Sequence, residues 1–228
     1  MIEQSPILVV GCPRSGTSMI GGAIRMCGAL GGELVKRGMF ENARILSEIV
    51  EPYLLNLGVD PNGQHPLPDV ENISVPGDWR RRVEQVVTDE GYKQGQWMYK
   101  DSRSSLIWPV WNYAFPNAKW IIVRRRTGDI VQSCMKTGYM TAYTDEAGWI
   151  EWVRQYEKRF VEMIEAGLNC KVVWPERMVH GDYQQMYETL EWVRLDWNKE
   201  VINWIDPLLW DSRQKERKTQ WHGQQQRK

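Results

Sequence analysis

The chain of 228 residues has little histidine, cysteine or phenylalanine and no net charge: 3 His, 4 Cys, 3 Phe, and 29 basic side chains against 29 acidic ones. The charge balance supplies no general basic field of the kind that draws nucleic acid or an anionic membrane. Cys12, Cys27, Cys134 and Cys170 form no CxxC and have no histidine spaced to join them, so no metal site is expected and the thiols are expected free, in a reducing compartment. Cys12 stands beside an expected helix start, which favours a lowered thiol pKa unless the residue simply fills space under a loop. No apolar run approaches the ~20 residues of a membrane span, and no charged-then-apolar signal opens the chain. A soluble, cytoplasmic protein without membrane or nucleic-acid partners is therefore expected. What the chain has in excess is tryptophan, 13 residues. Core filling is the first expectation for these, with a wall for a flat or sugar-like ligand as the second.

The length suits one α/β domain over residues 1–228. "ILVV" (residues 7–10) is an apolar run bounded by Pro6 and Gly11, as a buried parallel strand would be. Met19, Ile20, Ala23, Ile24 and Cys27 then recur at helical spacing as far as Gly28. "QWMYKD", "AKWIIVRR" and "KVVW" read as three further strands, and Ile130, Val131, Cys134 and Met135 mark a helix after the second of these. Residues 31–77 read as an irregular lid or acceptor region. They hold one helix at about 42–57, disturbed at Pro52, and four further prolines from Pro61 onward. Asp78 is the expected N-cap of a helix carrying Trp79, Val83, Val86 and Val87. The longest helix is expected over 145–166, with Trp149, Trp152, Val153, Tyr156, Phe160, Met163 and Ile164 as its core stripe. Two more follow near 183–194 and 199–205, and the basic, glutamine-rich tail over 211–228 reads as frayed. Strands alternating with helices imply a three-layer α/β fold, a parallel β-sheet flanked by helices, of the P-loop nucleotide-binding type.

The stretch "VVGCPRSGTSMIG" (residues 9–21) places a glycine, four residues, a second glycine and two hydroxyls after the first strand. Such a loop lies at the carboxyl edge of the sheet, where its amides and the following helix N-terminus favour an anion. Gly11 and Gly16 permit close backbone approach; Ser15, Thr17 and Ser18 add hydroxyls, and Arg14 adds a bidentate cation. A triphosphate-binding loop carries a lysine after its second glycine, and Thr17 stands there instead. A less charged donor, held without a metal, fits better. A second anion constellation is "VRRRTGDIVQS" (residues 123–133), in which Arg125 ends a strand, Asp129 suits the first turn of a helix and Ser133 lies one turn further on. A solvated basic loop before a capped helix is the alternative. Both constellations follow strands of one parallel sheet and open toward the same edge, where ligands of such sheets bind.

The pair resembles the sulfotransferases that use 3′-phosphoadenosine 5′-phosphosulfate (PAPS) and release 3′-phosphoadenosine 5′-phosphate (PAP). "GCPRSGTS" resembles that family's 5′-phosphosulfate loop, and "RRTGDIVQS", with Arg125 and Ser133 eight apart, is similar to its 3′-phosphate site. "YKDSRSS" followed by "AFPNAKWIIVRR" has the family's cadence, and the resemblance runs from Ile7 to about Met135. Thr127 departs from a proline common in the family. The resemblance implies that Arg14, Ser15, Gly16, Thr17 and Ser18 hold the phosphosulfate and that Arg125 and Ser133 hold the 3′-phosphate. It matches Lys100 to a lysine near the transferring group, with an ion pair to Asp101 as the alternative. Where cytosolic members carry a catalytic histidine, Ser102 stands here. Members lacking that histidine use a glutamate after the first helix, which points to Glu41, with Glu33, His65 and His180 as further candidates for the base.

The expected activity is sulfuryl transfer to a hydroxyl or amine of a small-molecule or carbohydrate acceptor, with Arg14, Lys100 and Glu41 as the catalytic set. A degenerate nucleotide-dependent phosphotransferase, with Asp101 on magnesium, and a non-catalytic bisphosphonucleotide-binding module are the alternatives. Tyr53, Tyr139 and Tyr143 are candidate ring-stacking residues for an acceptor.

Overall fold

The computed structural model describes residues 2, 4–34, 39–205 and 210. Four strands, β1 (Ile7–Gly11), β2 (Met98–Lys100), β3 (Lys119–Val123) and β4 (Cys170–Val173), form one all-parallel sheet in the order β2-β1-β3-β4. The register sets Val9 against Lys100 on one side and Ile121 on the other, and Gly11 against Val123. The ends of β1, β2 and β3 thus come out at one edge.

Nine helices among the described residues cover the sheet: α1 (Thr17–Met26), α2 (Glu51–Asn56), α3 (Trp79–Asp89), α4 (Trp108–Ala114), α5 (Thr127–Met135), α6 (Glu146–Glu165), α7 (Pro175–Val179), α8 (Gln184–Val193) and α9 (Glu200–Trp204). Side chains of period two send each strand to both faces. Leu8, Val10, Tyr99, Trp120 and Ile122 join one apolar cluster with α3, α4 and α6, and Ile7, Val9, Met98, Ile121 and Val123 join another with α1 and α8. None of the helices is long and apolar enough to cross a membrane among the described residues.

The tryptophan excess goes largely to one face. Trp79, Trp97, Trp111, Trp120, Trp149 and Trp152 are each exposed by 1 % or less, and all belong to the first cluster. Their rings meet edge to face, Trp149 on Trp152 at 5.2 Å and Trp79 on Trp111 at 5.5 Å; such pairs contribute ~0.5–1.5 kcal/mol beyond the area they bury. The stripe on α6 holds through Met163, whereas Ile164 is half exposed, because it leaves the core-facing side in the helix's last turn. Asp145 caps that helix by accepting from the Gly148 amide at 2.8 Å. Asp78 occupies the N-cap position of α3 without capping it; its carboxylate accepts from Arg81 Nη2 at 3.2 Å instead.

The irregularity expected at Pro52 lies one turn upstream, as a π-helical turn over Ile45–Val50 that runs into α2. Proline leaves the carbonyl four residues before it without a helical donor. That carbonyl, Glu48 O, accepts from the Arg82 guanidinium of α3, so the defect is repaired from a neighbouring helix. The tail over 211–228 lies outside the described residues. Cys12 is buried and burial pushes its thiol well up, so the space-filling role holds and the lowered pKa does not.

Candidate functional site

The loop after β1 is built by two tight approaches. A Cβ on Gly11 would lie 2.5 Å from the Val123 carbonyl and 2.8 Å from Ser15 Oγ, so only glycine lets the loop close onto the end of β3. Arg14 and Gly16 then turn in the left-handed region, at φ 73° and 97°, on either side of Ser15, whose amide donates to Cys12 O at 3.0 Å. For Arg14 that conformation costs ~1–2 kcal/mol, a strain held by the surrounding loop. α1 begins immediately after, with no capping side chain and no acidic residue in its first turn. Its opening amides have no side-chain cap, and the positive dipole end of the helix favours negative charge. Ser15 Oγ is fully buried and without a hydrogen-bond partner, which costs ~1–3 kcal/mol unless something accepts from it. Thr17 is buried beside it. Ser18 turns the other way: its hydroxyl donates to Met39 O at 3.3 Å and tethers the segment that carries Glu41.

The second constellation meets the first. Arg14 Nε donates to Ser133 Oγ on α5 at 2.9 Å, although 119 positions separate them. Arg125, just past β3, donates through Nη1 to Arg14 O at 3.1 Å. The Arg14 side chain therefore reaches across to the Arg125–Ser133 constellation rather than staying within its own loop. Arg14 Nη1 also donates to the exposed Tyr139 hydroxyl at 3.2 Å. Trp210 closes this corner: its carbonyl accepts from Arg125 Nη2 at 3.0 Å and its ring lies 4.1 Å under the same guanidinium. The neighbouring arginines go elsewhere, Arg124 to Glu157 and Arg126 to Glu176. Asp129 sits in the first turn of α5.

At the end of β2 lies a second, buried cluster. Lys100 Nζ donates to Glu41 Oε1 at 2.8 Å and Arg103 Nη2 donates to Glu41 Oε2 at 2.9 Å. Arg103 also holds Asp101, through Nε at 2.7 Å and its own amide at 3.1 Å, and Asp101 Oδ2 accepts from Tyr99 OH at 3.0 Å. Lys100, Glu41, Asp101 and Arg103 are all exposed by 8 % or less. Burial works against the charge on Arg103, but Asp101 and Glu41 outweigh it and hold the guanidinium above its ordinary value. Burial likewise pushes the Asp101 carboxyl up, against the pull of Arg103. Lys100 pairs with Glu41 rather than with Asp101, and Glu41, which precedes the π-helical turn, points into this cluster rather than serving as a first-turn helix acid.

The other candidate bases stand apart. Glu33 is exposed, with its carbonyl on the Ala43 amide at 2.8 Å. The His65 ring contacts Tyr143 OH at 3.1 Å, and His180 Nδ1 lies 2.7 Å from Glu176 O. Tyr53 is a packing residue, its ring on Trp79 and its hydroxyl on Ser74 O at 2.6 Å. Arg103 escaped the sequence reading. Its signal was present in "KDSR", where two cations flank a carboxylate at a strand end, but the partner Glu41 lies 62 positions away. Trp210 carried no local signal. Neither protein-family models nor curated proteins give a match to this chain.

Proposed function

We propose that the protein is a sulfotransferase of the PAPS-dependent kind, with the loop after β1 as a P-loop-like donor site. The observation that carries this reading is the meeting of Arg14, Arg125 and Ser133 from two distant segments at one sheet edge. That meeting sets one anion seat beside the separate seat of the loop amides and Ser15, which suits two phosphate groups on one nucleotide better than a single polyphosphate chain. The residues present fit the donor: an uncapped helix N-terminus, a buried unpartnered Ser15 hydroxyl and two arginines. When bound, PAPS supplies the sulfuryl group.

The chain's own residues do the rest by position and charge. The loop amides and Ser15 hold the 5′-phosphosulfate, and Arg125 and Ser133 hold the 3′-phosphate; Arg14, expected at the phosphosulfate and in the catalytic set, is assigned to the 3′-phosphate instead, because its Nε is turned to Ser133. Lys100 stands where charge gathers on the leaving phosphate. Glu41 accepts the proton of the acceptor hydroxyl or amine on a lone pair that Lys100 and Arg103 leave open. The phosphotransferase alternative would place magnesium on Asp101, but that carboxylate is fully buried and carries the Arg103 guanidinium as its counter-ion.

Calorimetric titration with PAP, beside ADP and ATP with and without magnesium, tests the reading. Micromolar PAP binding that needs the 3′-phosphate and ignores magnesium is the expected result. Preference for ATP with magnesium, and indifference to the 3′-phosphate, would move the protein to the phosphotransferases.

A further inference from the structure

We infer that Arg103 is a positioning residue for Glu41, with Asp101 as the anchor of Arg103. This inference rests on the sulfuryl-transfer reading above and extends it to residues that hold the base rather than act as one. Glu41 stands on a short stretch with no regular structure of its own, preceded by Phe40 in the left-handed region at φ 57°. Its carboxylate is therefore oriented by whatever grips its two oxygens. Lys100 grips one, but an ammonium on a flexible stem supplies charge without fixing a plane. Arg103 grips the other at 2.9 Å, and its planar guanidinium is itself pinned from three further directions. Nε donates to Asp101 at 2.7 Å, Nη1 donates to the Pro61 carbonyl at 3.3 Å, and Glu51 lies 3.6 Å from Nη1.

Asp101 is pinned in turn by the Arg103 amide and by the Tyr99 hydroxyl. Tyr99 is buried on β2 with its ring stacked on Trp111 at 5.2 Å. A continuous run of fixed groups thus leads from the sheet core to the Glu41 carboxylate. Two cations and two carboxylates balance within it, so no net charge is buried. Lysine at position 103 could not span Asp101 and Glu41 at once, because that takes the fork of a guanidinium. The Pro61 contact adds a second consequence: the same guanidinium ties the irregular segment beyond α2 to the base.

The test uses the full chain and two mild variants, Arg103→Lys and Asp101→Asn. Arg103→Gln would leave two buried carboxylates short of a cation and endangers the fold. PAP affinity is measured by calorimetry, and turnover as PAP released from PAPS with a mixture of p-nitrophenol, glucose and a primary alkylamine. Both variants are expected to bind PAP within twofold of the wild type and to lose about 100-fold in kcat, the scale of a misplaced catalytic group. Against the residual rate of Glu41→Gln, adding Arg103→Lys is expected to cost less than threefold, because the two residues act as one unit. Arg103→Lys turning over within threefold of wild type, or losing the same factor in both backgrounds, overturns the inference while leaving sulfuryl transfer standing. A wild type that binds PAP yet releases none from PAPS overturns the sulfuryl-transfer reading, and the positioning role with it.

Discussion

Two clusters of charge share one edge of the sheet and are built on opposite terms. Around Glu41, the cations and carboxylates are buried and satisfy one another, with Glu41 exposed by 6 % and Asp101 by 0 %. Around Arg14, the guanidinium faces solvent and donates to a serine and a tyrosine hydroxyl, while the half-buried Arg125 donates to two backbone carbonyls under the Trp210 ring. A buried knot of charges contributes little net stability when intact and is costly to break. An exposed cation such as Arg14, resting on two hydroxyls, costs the fold little. The difference teaches which residues can be probed by function alone. Under the proposed function, mutations in the first cluster are expected to act on the fold and on catalysis together, and those in the second on binding.

The largest expected effect falls on the buried side. Arg103→Ala is expected to lose about 3–5 kcal/mol of stability, because it strips Asp101 of its counter-ion and leaves Glu41 with Lys100 alone, as measured by urea unfolding. A loss below ~1 kcal/mol would erase the contrast. Arg14→Ala is expected to leave stability within ~1 kcal/mol while removing about 1.5–3 kcal/mol of PAP binding, the worth of a hydrogen bond to a charged group. That is a fall of roughly 10- to 150-fold in calorimetric affinity.

α5 carries both behaviours on one helix, with Ser133 at the site and Cys134 buried beneath it. Burial pushes the Cys134 thiol up to about 12, against the pull of Arg14, from an ordinary 9.0. The folded chain keeps that proton after the unfolded chain has lost it. The thiol's contribution is therefore complete below pH 9 and declines as pH rises toward 12. The slope is about 1.4 kcal/mol per pH unit. Unfolding of the wild type against Cys134→Ala at pH 8, 9 and 10 isolates it, and parallel curves would show that the thiol is not protected. The smallest expected effect is that of Ser133→Ala, a loss of about 0.5–1.5 kcal/mol in PAP binding. It should be absent for adenosine 5′-phosphate. An equal loss for both ligands would place Ser133 at the wrong phosphate.

The sheet was legible in the sequence because each strand is a short apolar run, ended by a glycine in β1, by charged residues in β2 and β3 and by Pro175 just beyond β4. The loop and α1 were legible because glycine spacing and helical periodicity are local signals. α4 was not, since Trp108, Pro109 and Trp111 over seven residues are too short a sample to show a period. α7 was missed for the same reason, with five residues behind Pro175. The π-helical turn was displaced from its cause, because Pro52 acts on the carbonyl of Glu48 one turn earlier. Within the candidate site, residue types and strand ends could be read. Who pairs with whom could not, since Lys100 chooses Glu41, 59 positions distant, over the adjacent Asp101. Proximity in the chain is a poor guide where a parallel sheet brings separate loops to one edge.

In the proposed function, two loops form one seat for a nucleotide with separate 3′- and 5′-phosphates. Phosphorus NMR of PAP titrated with the protein tests it most directly, because the two phosphates resonate apart. Both resonances are expected to shift on binding, with Ser133→Ala weakening the response at the 3′-phosphate more than at the 5′-phosphate. A shift confined to the 5′-phosphate, with the 3′-phosphate unmoved at saturation, would contradict the account.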